Sequence, residues 1–141
     1  ANGPILVWDG APLTHWGEET FFTARHPRTA AGTTPDNRLI LLTVDGRTTQ
    51  AAGMSCAELA RTMAALGCVR AVNLDGGGST TMWVRGEPDN GVVNYPCDNR
   101  RYDHEGERAC ANVIAVLGPP DQSLPESFWE SFVALLIALI A

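Results

Sequence analysis

Short apolar runs separated by turn-forming residues dominate the first half of the chain. Residues 5–8, 39–44 and 69–74 are mostly apolar over lengths typical of strands, and turns containing glycine flank them. The run at residues 39–44 is almost continuously apolar, which favours a strand buried on both faces of a sheet. Further extended segments are predicted at residues 11–13, 21–25, 28–32, 80–84, 91–95 and 111–117, and residues 47–52 are predicted to complete a hairpin with the 39–44 strand.

One segment carries the signals of an amphipathic helix. The spacing of Ser55 and Glu58 matches a capping box, in which two side chains satisfy backbone N–H groups at a helix start. Apolar side chains then recur at helical spacing from residue 56 to residue 66, and Gly67 is a typical residue for ending a helix. We therefore predict a helix between Ser55 and Gly67, immediately before the strand at residues 69–74.

The order of these elements predicts an α+β fold, with a mixed and mainly antiparallel sheet and one principal helix packed on it. The length of 141 residues fits one domain with a sizeable core. We assign residues 1–118 to this domain and residues 119–127 to a linker. Residues 128–141 form an apolar tail, shorter than the roughly 20 residues that span a bilayer. The tail is predicted to be a short helix that contacts the domain or a partner, or the beginning of a membrane anchor.

Composition narrows the class of protein. The chain is 45% hydrophobic and 18% charged, as expected of a globular domain, and its formal net charge is −6. Because no cluster of Lys and Arg offsets this charge, we predict no nucleic-acid partner. The first residue is Ala1 rather than Met, from which we expect a processed or excised segment.

Four cysteines allow three complete disulfide pairings. No C-x-x-C pair is present, so a structural zinc site is not expected. Cys56 and Cys68 flank the predicted helix, and a rise of about 1.5 Å per residue separates them by roughly 18 Å, too far for a bridge. The favoured disulfide is Cys97–Cys110, which an exported location would support. The alternative is four reduced and mostly buried thiols.

A carboxylate, three glycines and three hydroxyl residues follow the strand at residues 69–74. Successive glycines allow a backbone conformation in which N–H groups converge on an anion, and this predicts an anion-binding nest. The neighbouring hydroxyls can donate further hydrogen bonds, and the carboxylate can act as a ligand or as an acid or base. The alternative is a tight turn in which the carboxylate accepts from its own backbone. The residues concerned are Asp75, Gly76, Gly77, Gly78, Ser79, Thr80 and Thr81.

Three segments in this order resemble the phosphodiester glycosidase family over residues 3–118. They are His26-Pro27-Arg28-Thr29-Ala30-Ala31-Gly32, then Asn73-Leu74-Asp75-Gly76-Gly77-Gly78-Ser79-Thr80-Thr81-Met82, then Val93-Asn94-Tyr95-Pro96 with Glu107-Arg108 and Ala111-Asn112. The resemblance implies a hydrolase that cleaves a sugar-1-phosphodiester with an N-acetylglucosamine-type sugar. It also implies a secreted, periplasmic or luminal location.

This resemblance has one departure and two alternatives. Family domains usually begin with an N-G-G-F-F segment, and here Asn2-Gly3 is the most that matches, so we expect an N-terminal segment to be lacking. The chain could then be a noncatalytic carbohydrate- or phosphate-binding module, or a truncated inactive domain of an exported protein. The expected partner is a small-molecule or glycan phosphodiester.

A phosphodiester carries one negative charge, which requires a cation or convergent donors in its site. Arg28 is the first candidate, because a planar guanidinium can bond two phosphate oxygens at once, and the alternative is a surface arginine on a strand. Arg108 is the second candidate, and it could instead pair with Glu107 or Glu105 as a structural clamp.

Glycosidic hydrolysis usually employs two carboxyl groups. Asp75 is the leading catalytic candidate, and Glu107 is the candidate for the second group. Asp9, Asp36 and Asp45 fit turn positions better. A phosphate leaves as a stabilised anion, so strong acid assistance is needed less.

The remaining candidates would bind substrate. Hydroxyl and backbone donors come from the glycine stretch and its surroundings, and side-chain amides could orient substrate or water; each could instead satisfy local backbone. No metal ligand set or cofactor is assigned, although Asp75 with nearby hydroxyls could hold a cation. The predicted binding residues are Thr29, Gly76, Gly77, Gly78, Ser79, Thr80, Asn94, Arg108 and Asn112.

Overall fold

The computed structural model describes residues 3–117. The chain divides into two compact units, residues 1–109 and 110–141. The described elements all lie in the first unit, in the order β1 (Ile5–Trp8), β2 (Ala11–Pro12), α1 (Thr20–Thr23), β3 (Arg28–Thr33), β4 (Leu39–Val44), α2 (Cys56–Ala65) and β5 (Arg70–Asn73), followed by 3-10 turns at Gly77–Ser79 and Asp89–Gly91.

The five strands form one sheet in the order β2-β1-β5-β3-β4, and every neighbouring pair is antiparallel. The principal helix, α2, packs against β1, β2, β3 and β5. The predicted α+β class, with a mainly antiparallel sheet and one principal helix, is therefore confirmed. The predicted apolar C-terminal helix lies outside the described residues, as does the linker at 119–127.

Helix α2 supplies one side of the core. Leu59 and Met63 are fully buried on the helix face that meets the sheet, where Leu6 and Val7 of β1 are also fully buried. The capping box is present as expected, since Ser55 Oγ accepts from the Glu58 N–H and Glu58 Oε2 accepts from the Ser55 N–H. Apolar burial thus fixes the helix on the sheet, and a local polar motif fixes where the helix begins.

Strand β4 lies at an edge of the sheet rather than in its interior. It pairs with β3 on one side, and within residues 3–117 no strand is hydrogen-bonded to its other side. Leu39 is 52% exposed and Leu42 is the one fully buried leucine of the strand. The prediction of burial on both faces was therefore wrong, because a continuous apolar run does not distinguish an edge strand from a central one.

Several predicted extended segments are not strands. Residues 21–25 overlap the short helix α1, and residues 47–52, 80–84, 91–95 and 111–117 contain no strand, although a single bridge joins Trp83 to Val92. Within residues 80–95, a backbone N–H is bonded by a side chain instead of by a neighbouring strand, since Asn94 Oδ1 accepts from the Met82 N–H at 2.8 Å. Alternating apolar residues there reflect local burial around polar contacts.

The cysteine prediction also needs correction. Cys97 is buried and carries a free thiol, so the predicted Cys97–Cys110 disulfide is not formed. Cys56 and Cys68 are buried free thiols as well, and burial raises the pKa of both. The buried thiols pack as small apolar groups in the core.

In the second unit, residues 110–117 are described, and they form an irregular, exposed segment. Val113 and Leu117 have most of their surface open to solvent. Within residues 3–117, none of the helices has the length and apolar character needed to cross a bilayer.

Candidate active site

The turn that follows β5, residues 75–80, is anchored to the beginning of β3. We call it the glycine turn. The Leu74 N–H donates to Thr29 O at 2.8 Å, and the Gly77 N–H donates to Pro27 O at 2.9 Å. Thr29 Oγ1 also donates to Thr80 Oγ1 at 3.3 Å. The sheet therefore holds the glycine turn from both of its ends, beside β3.

Four of the six backbone N–H groups of the glycine turn, those of Gly76, Gly77, Ser79 and Thr80, donate within the protein. Asp75 Oδ1 accepts from the Gly76 N–H, and Pro27 O accepts from the Gly77 N–H. The N–H groups of Ser79 and Thr80 donate to carbonyl oxygens inside the turn itself. The tight turn in which Asp75 bonds to its own backbone is therefore present, and anion binding by the N–H groups of this turn stays a prediction.

Each glycine of the turn is required by a close neighbour. A Cβ on Gly76 would lie 2.7 Å from Pro27 O, and a Cβ on Gly78 would overlap the carboxylate of Asp98. Gly77 has a φ of +61°, a conformation that favours glycine. The glycines therefore allow close packing of backbone and side chains at this turn.

Arg28 is buried inside the domain, only 2% exposed. Its Nε donates to Met54 O at 2.8 Å, and its Nη2 donates to the carbonyls of Phe21 and Ala24. Burial lowers the pKa of this guanidinium, which nevertheless stays charged at neutral pH. Arg28 is therefore not the surface residue of the alternative interpretation, and its role as the phosphate-binding cation stays a prediction.

An arginine that the sequence analysis did not single out lies on the glycine turn instead. The guanidinium of Arg47 packs on Gly77, with Nη1 only 2.9 Å from the position a Cβ would take. Its Nη2 lies 3.4 Å from Nδ1 of His26. Burial, then Arg47, then Arg28 lower the pKa of His26, which favours the neutral imidazole. The only sequence signal for Arg47 was its position after the Asp45-Gly46 turn.

Arg108 reaches the glycine turn, as the sequence analysis expected of a site residue. Its Nη2 donates to Ser79 Oγ at 2.7 Å, and its Nη1 lies 3.5 Å from Oδ2 of Asp98. The carboxylate bound to Arg108 is thus Asp98, which the sequence analysis missed, whereas Glu105 and Glu107 were the expected partners. Glu107 is exposed and its catalytic role stays a prediction.

Asn94 is buried behind the glycine turn, where it acts on neighbouring backbone. Its Nδ2 donates to Asp45 Oδ1 at 2.9 Å and to Thr80 O at 3.2 Å, while Asp45 Oδ1 also accepts from the Tyr95 N–H. Burial raises the pKa of the Asp45 carboxyl, and the hydrogen bonds from Asn94 and Tyr95 and the nearby His104 offset part of this. Asn94 therefore holds the backbone of the glycine turn in place, and its substrate-binding role stays a prediction.

The remaining candidate sites, Asn112, a metal site and a surface cavity, lie outside the glycine turn or are not found in the described residues. Asn112 is exposed in the second unit, and its binding role stays a prediction. Among residues 3–117, no three or more His, Cys, Asp or Glu side chains are grouped so as to hold a metal ion. A cavity of about 230 Å³ lies between the loop at residues 14–18 and the start of α2, and its lining includes no residue of the glycine turn.

Comparison with known proteins matches the sequence of this chain to a family. The model of the phosphodiester glycosidase family matches residues 1–117. An uncharacterized SPbeta prophage-derived protein of Bacillus subtilis, YomE, is 34% identical over 127 residues, which cover 87% of this chain and 18% of that protein. The N-acetylglucosamine-1-phosphodiester alpha-N-acetylglucosaminidase of Bos taurus is 40% identical over 72 residues, 51% of this chain and 13% of the enzyme.

One solved structure is similar in fold as well as in sequence. It is the zebrafish N-acetylglucosamine-1-phosphodiester alpha-N-acetylglucosaminidase catalytic domain, auto-inhibited by its pro-peptide, with a TM-score of 0.53 and 28% identity over 65% of this chain and 33% of that one. The chain spans less than a fifth of the length of the two curated relatives described above. Because the family model nevertheless covers residues 1–117, the resemblance found in the sequence is confirmed, and the chain belongs to the phosphodiester glycosidase family.

Proposed function

We propose that this chain carries the active site of a hydrolase that cleaves a sugar-1-phosphodiester, with an N-acetylglucosamine-type sugar. The observation that carries the proposal is that a single turn bears one exposed carboxylate and is contacted by two guanidinium groups. Asp75 opens the glycine turn, Arg47 packs on Gly77, and Arg108 donates to Ser79. A carboxylate and two cations at one turn suit a reaction in which a sugar loses an anionic leaving group.

The chemistry assigns a role to each group. The bond that breaks joins the anomeric carbon of the sugar to a phosphate oxygen, and water supplies the new oxygen on that carbon. Asp75 acts as the base for this water or as the nucleophile, the two roles that a carboxylate takes in glycoside hydrolysis. The departing phosphate keeps its electrons as an anion, so a guanidinium can stabilise it without a strong acid.

The second carboxyl group has two candidates. Asp98 lies against Gly78 and is held there by Arg108, while Glu107 precedes Arg108 in the chain. Asp98 is favoured because its carboxylate occupies the space that a side chain on Gly78 would fill. A secreted, periplasmic or luminal location belongs to the same proposal and is supported by family membership alone.

The test is release of sugar by the 141-residue chain. With UDP-N-acetylglucosamine as substrate we expect free N-acetylglucosamine, and we expect Asp75→Asn to lower the rate by about 100-fold or more, the range of a lost acid or base. Asp9→Asn is the matched control, because Asp9 is an exposed turn aspartate paired with Arg70. Turnover that survives Asp75→Asn contradicts the assigned mechanism. Saturable sugar binding without turnover would instead favour a noncatalytic module.

A further inference from the structure

Three glycines from two loops converge on the backbone of His26 and Pro27. A Cβ on Gly46 would lie 2.9 Å from Pro27 N, one on Gly53 would overlap His26 O, and one on Gly76 would lie 2.7 Å from Pro27 O. The loop that follows β4 and the glycine turn are thus packed against the same dipeptide. This packing places the side chain of Arg47, which follows Gly46, on the glycine turn.

The guanidinium of Arg47 faces Gly77 with its plane. Its Nη1, Cζ and Nη2 atoms lie 2.9, 3.2 and 3.2 Å from the position that a Cβ of Gly77 would take. Nearly equal distances to the three atoms mean that the flat side of the group rests on the glycine. The N–H groups at the edge of the plane then point along the surface, which is the geometry for bonding two oxygens of one phosphate.

The charge of Arg47 is not offset by a neighbouring carboxylate. The ion pairs within residues 3–117 join Arg25, Arg38, Arg70, Arg108 and His104 to acidic side chains, and Arg47 takes part in none of them. Its neighbour His26 brings a ring nitrogen within 3.4 Å but no negative charge. An exposed cation without a paired carboxylate attracts an anion, even on a chain whose formal net charge is −6.

We propose that Arg47, resting on Gly77 beside His26, is the binding residue for the phosphate group of the substrate. The inference rests on the proposed function and names the group that holds the leaving phosphate. The ligand class is a tetrahedral phosphate ester oxyanion, as found in a sugar 1-phosphodiester and in a sugar 1-phosphate. In Arg28, the arginine favoured by sequence, Nε and Nη2 donate to three backbone carbonyls.

Backbone conformation provides a substitution that separates binding from folding. Arg47 has a φ of +61°, which disfavours a side chain and favours glycine. We therefore expect Arg47→Gly to keep or raise the temperature of unfolding while it removes the guanidinium. Arg100 is a matched control, because it is an exposed arginine with a φ of +60° that lies in another loop.

The experiment measures phosphate binding without requiring turnover. The three histidines, His15, His26 and His104, give separate imidazole signals in an NMR spectrum, and the probes are N-acetylglucosamine 1-phosphate and inorganic phosphate. We expect saturable shifts of the His26 signal and a rise in the pKa of His26 when the probe binds, because the anion offsets the charge of Arg47. The signal of His15 should not move.

Three outcomes decide the proposal. Arg47→Gly should weaken binding at least about 10-fold, while Arg47→Lys keeps a point charge and gives an intermediate loss. Arg100→Gly should bind as the unaltered chain does. Unchanged binding in Arg47→Gly, or equal weakening in Arg100→Gly, overturns the proposal.

A further measurement separates this proposal from the proposed function. If Arg47→Gly loses phosphate binding while the unaltered chain shows no turnover of UDP-N-acetylglucosamine, the phosphate site stands and the hydrolase fails. If Arg47→Gly turns over substrate with an unchanged KM, the hydrolase stands and the assignment of Arg47 fails.

Discussion

The sheet with its principal helix and the loops around the glycine turn, residues 45–53 and 74–109, are stabilised by different interactions. In the first region, strand ladders and buried side chains such as Leu59 and Met63 hold the structure. In the second region, side chains bond to backbone, as Asn94 does to Met82 and Thr80. The site therefore lies where apolar packing gives way to individual polar contacts.

The arginines Arg28 and Arg47 show what this difference means for function. Arg28 lies in the packed region, where its Nε and Nη2 donate to backbone carbonyls. Arg47 lies at the boundary of the loop region, where its plane is supported by a glycine and its edge remains exposed. One residue type thus stabilises the fold in one region and is available to a ligand in the other.

The largest effect should come from the packed region. Arg28→Met leaves the carbonyls of Met54, Phe21 and Ala24 buried without their donor, and each such loss costs about 1–3 kcal/mol. We expect the free energy of unfolding in urea to fall by about 3–5 kcal/mol, the range for breaking a buried charged contact.

The control is Arg38→Met, which removes an exposed ion pair with Asp36 and should change stability little. Equal losses in the two variants would mean that Arg28 does not hold α1 and the loop before α2 in place. The conclusion that arginine stabilises the fold in the packed region would then be wrong.

The second effect tests the polar contacts of the loop region. Asn94→Ala removes the donor to Asp45 and the acceptor for the Met82 N–H, both part of a buried network. We expect a loss of about 2–3 kcal/mol in the free energy of unfolding, since unsatisfied buried polar groups cost this much. Asn99→Ala, which alters an exposed contact with Asp103, serves as the control. A negligible change in Asn94→Ala would show that packing alone holds the glycine turn.

The sequence predicted local features well because their causes are local. Ser55 and Glu58 are three residues apart, so one short segment determines where α2 begins. The strand β5 and the turn after it are also specified by neighbouring residues, including Asp75. Burial of Arg28 had a weaker signal, since it shares the inner face of β3 with Ala30 and Gly32, both small and buried.

The contacts of the site could not be predicted in the same way. Arg47 and Asp98 are distant from Gly77 and Gly78 in sequence, and they arrive there because separate loops pack closely. A glycine stretch indicates that something approaches its backbone, but periodicity does not indicate what approaches. The prediction of a nest therefore did not anticipate the guanidinium and the carboxylate that lie against these glycines.

A smaller effect is expected at the start of α2. Ser55→Ala removes the side chain that accepts from the Glu58 N–H, and loss of such a cap costs about 1 kcal/mol in the free energy of unfolding. Thr49→Ala is the control, because the Thr49 hydroxyl bonds only to the neighbouring Gln50. If Ser55→Ala were as costly as Arg28→Met, the cap would be essential to the packed region, which its local position does not predict.

The smallest effect concerns pH, to which the two regions should respond with opposite signs. Burial alone would raise the pKa of Glu58, but hydrogen bonds from Ser55 and Arg25 outweigh it and lower the pKa. Its stabilising contribution is therefore present above the unfolded pKa and is lost as pH falls through the folded value. In urea unfolding, the stability of Glu58→Gln should therefore decline less at acid pH than the stability of the unaltered chain.

Asp45 in the loop region behaves in the reverse sense, because burial raises its pKa in the folded protein. The folded state binds the proton more tightly, so stability decreases as pH rises from about 3.9, the unfolded value, through the raised folded value. Asp45→Asn keeps an oxygen that can accept from Asn94 and does not titrate, so this decrease should disappear from urea unfolding curves as pH rises above about 3.9. A decrease that persists in Asp45→Asn would mean that another carboxyl causes it. A steeper decrease would mean that the charged carboxylate stabilises the loops, because its hydrogen bonds outweigh its burial.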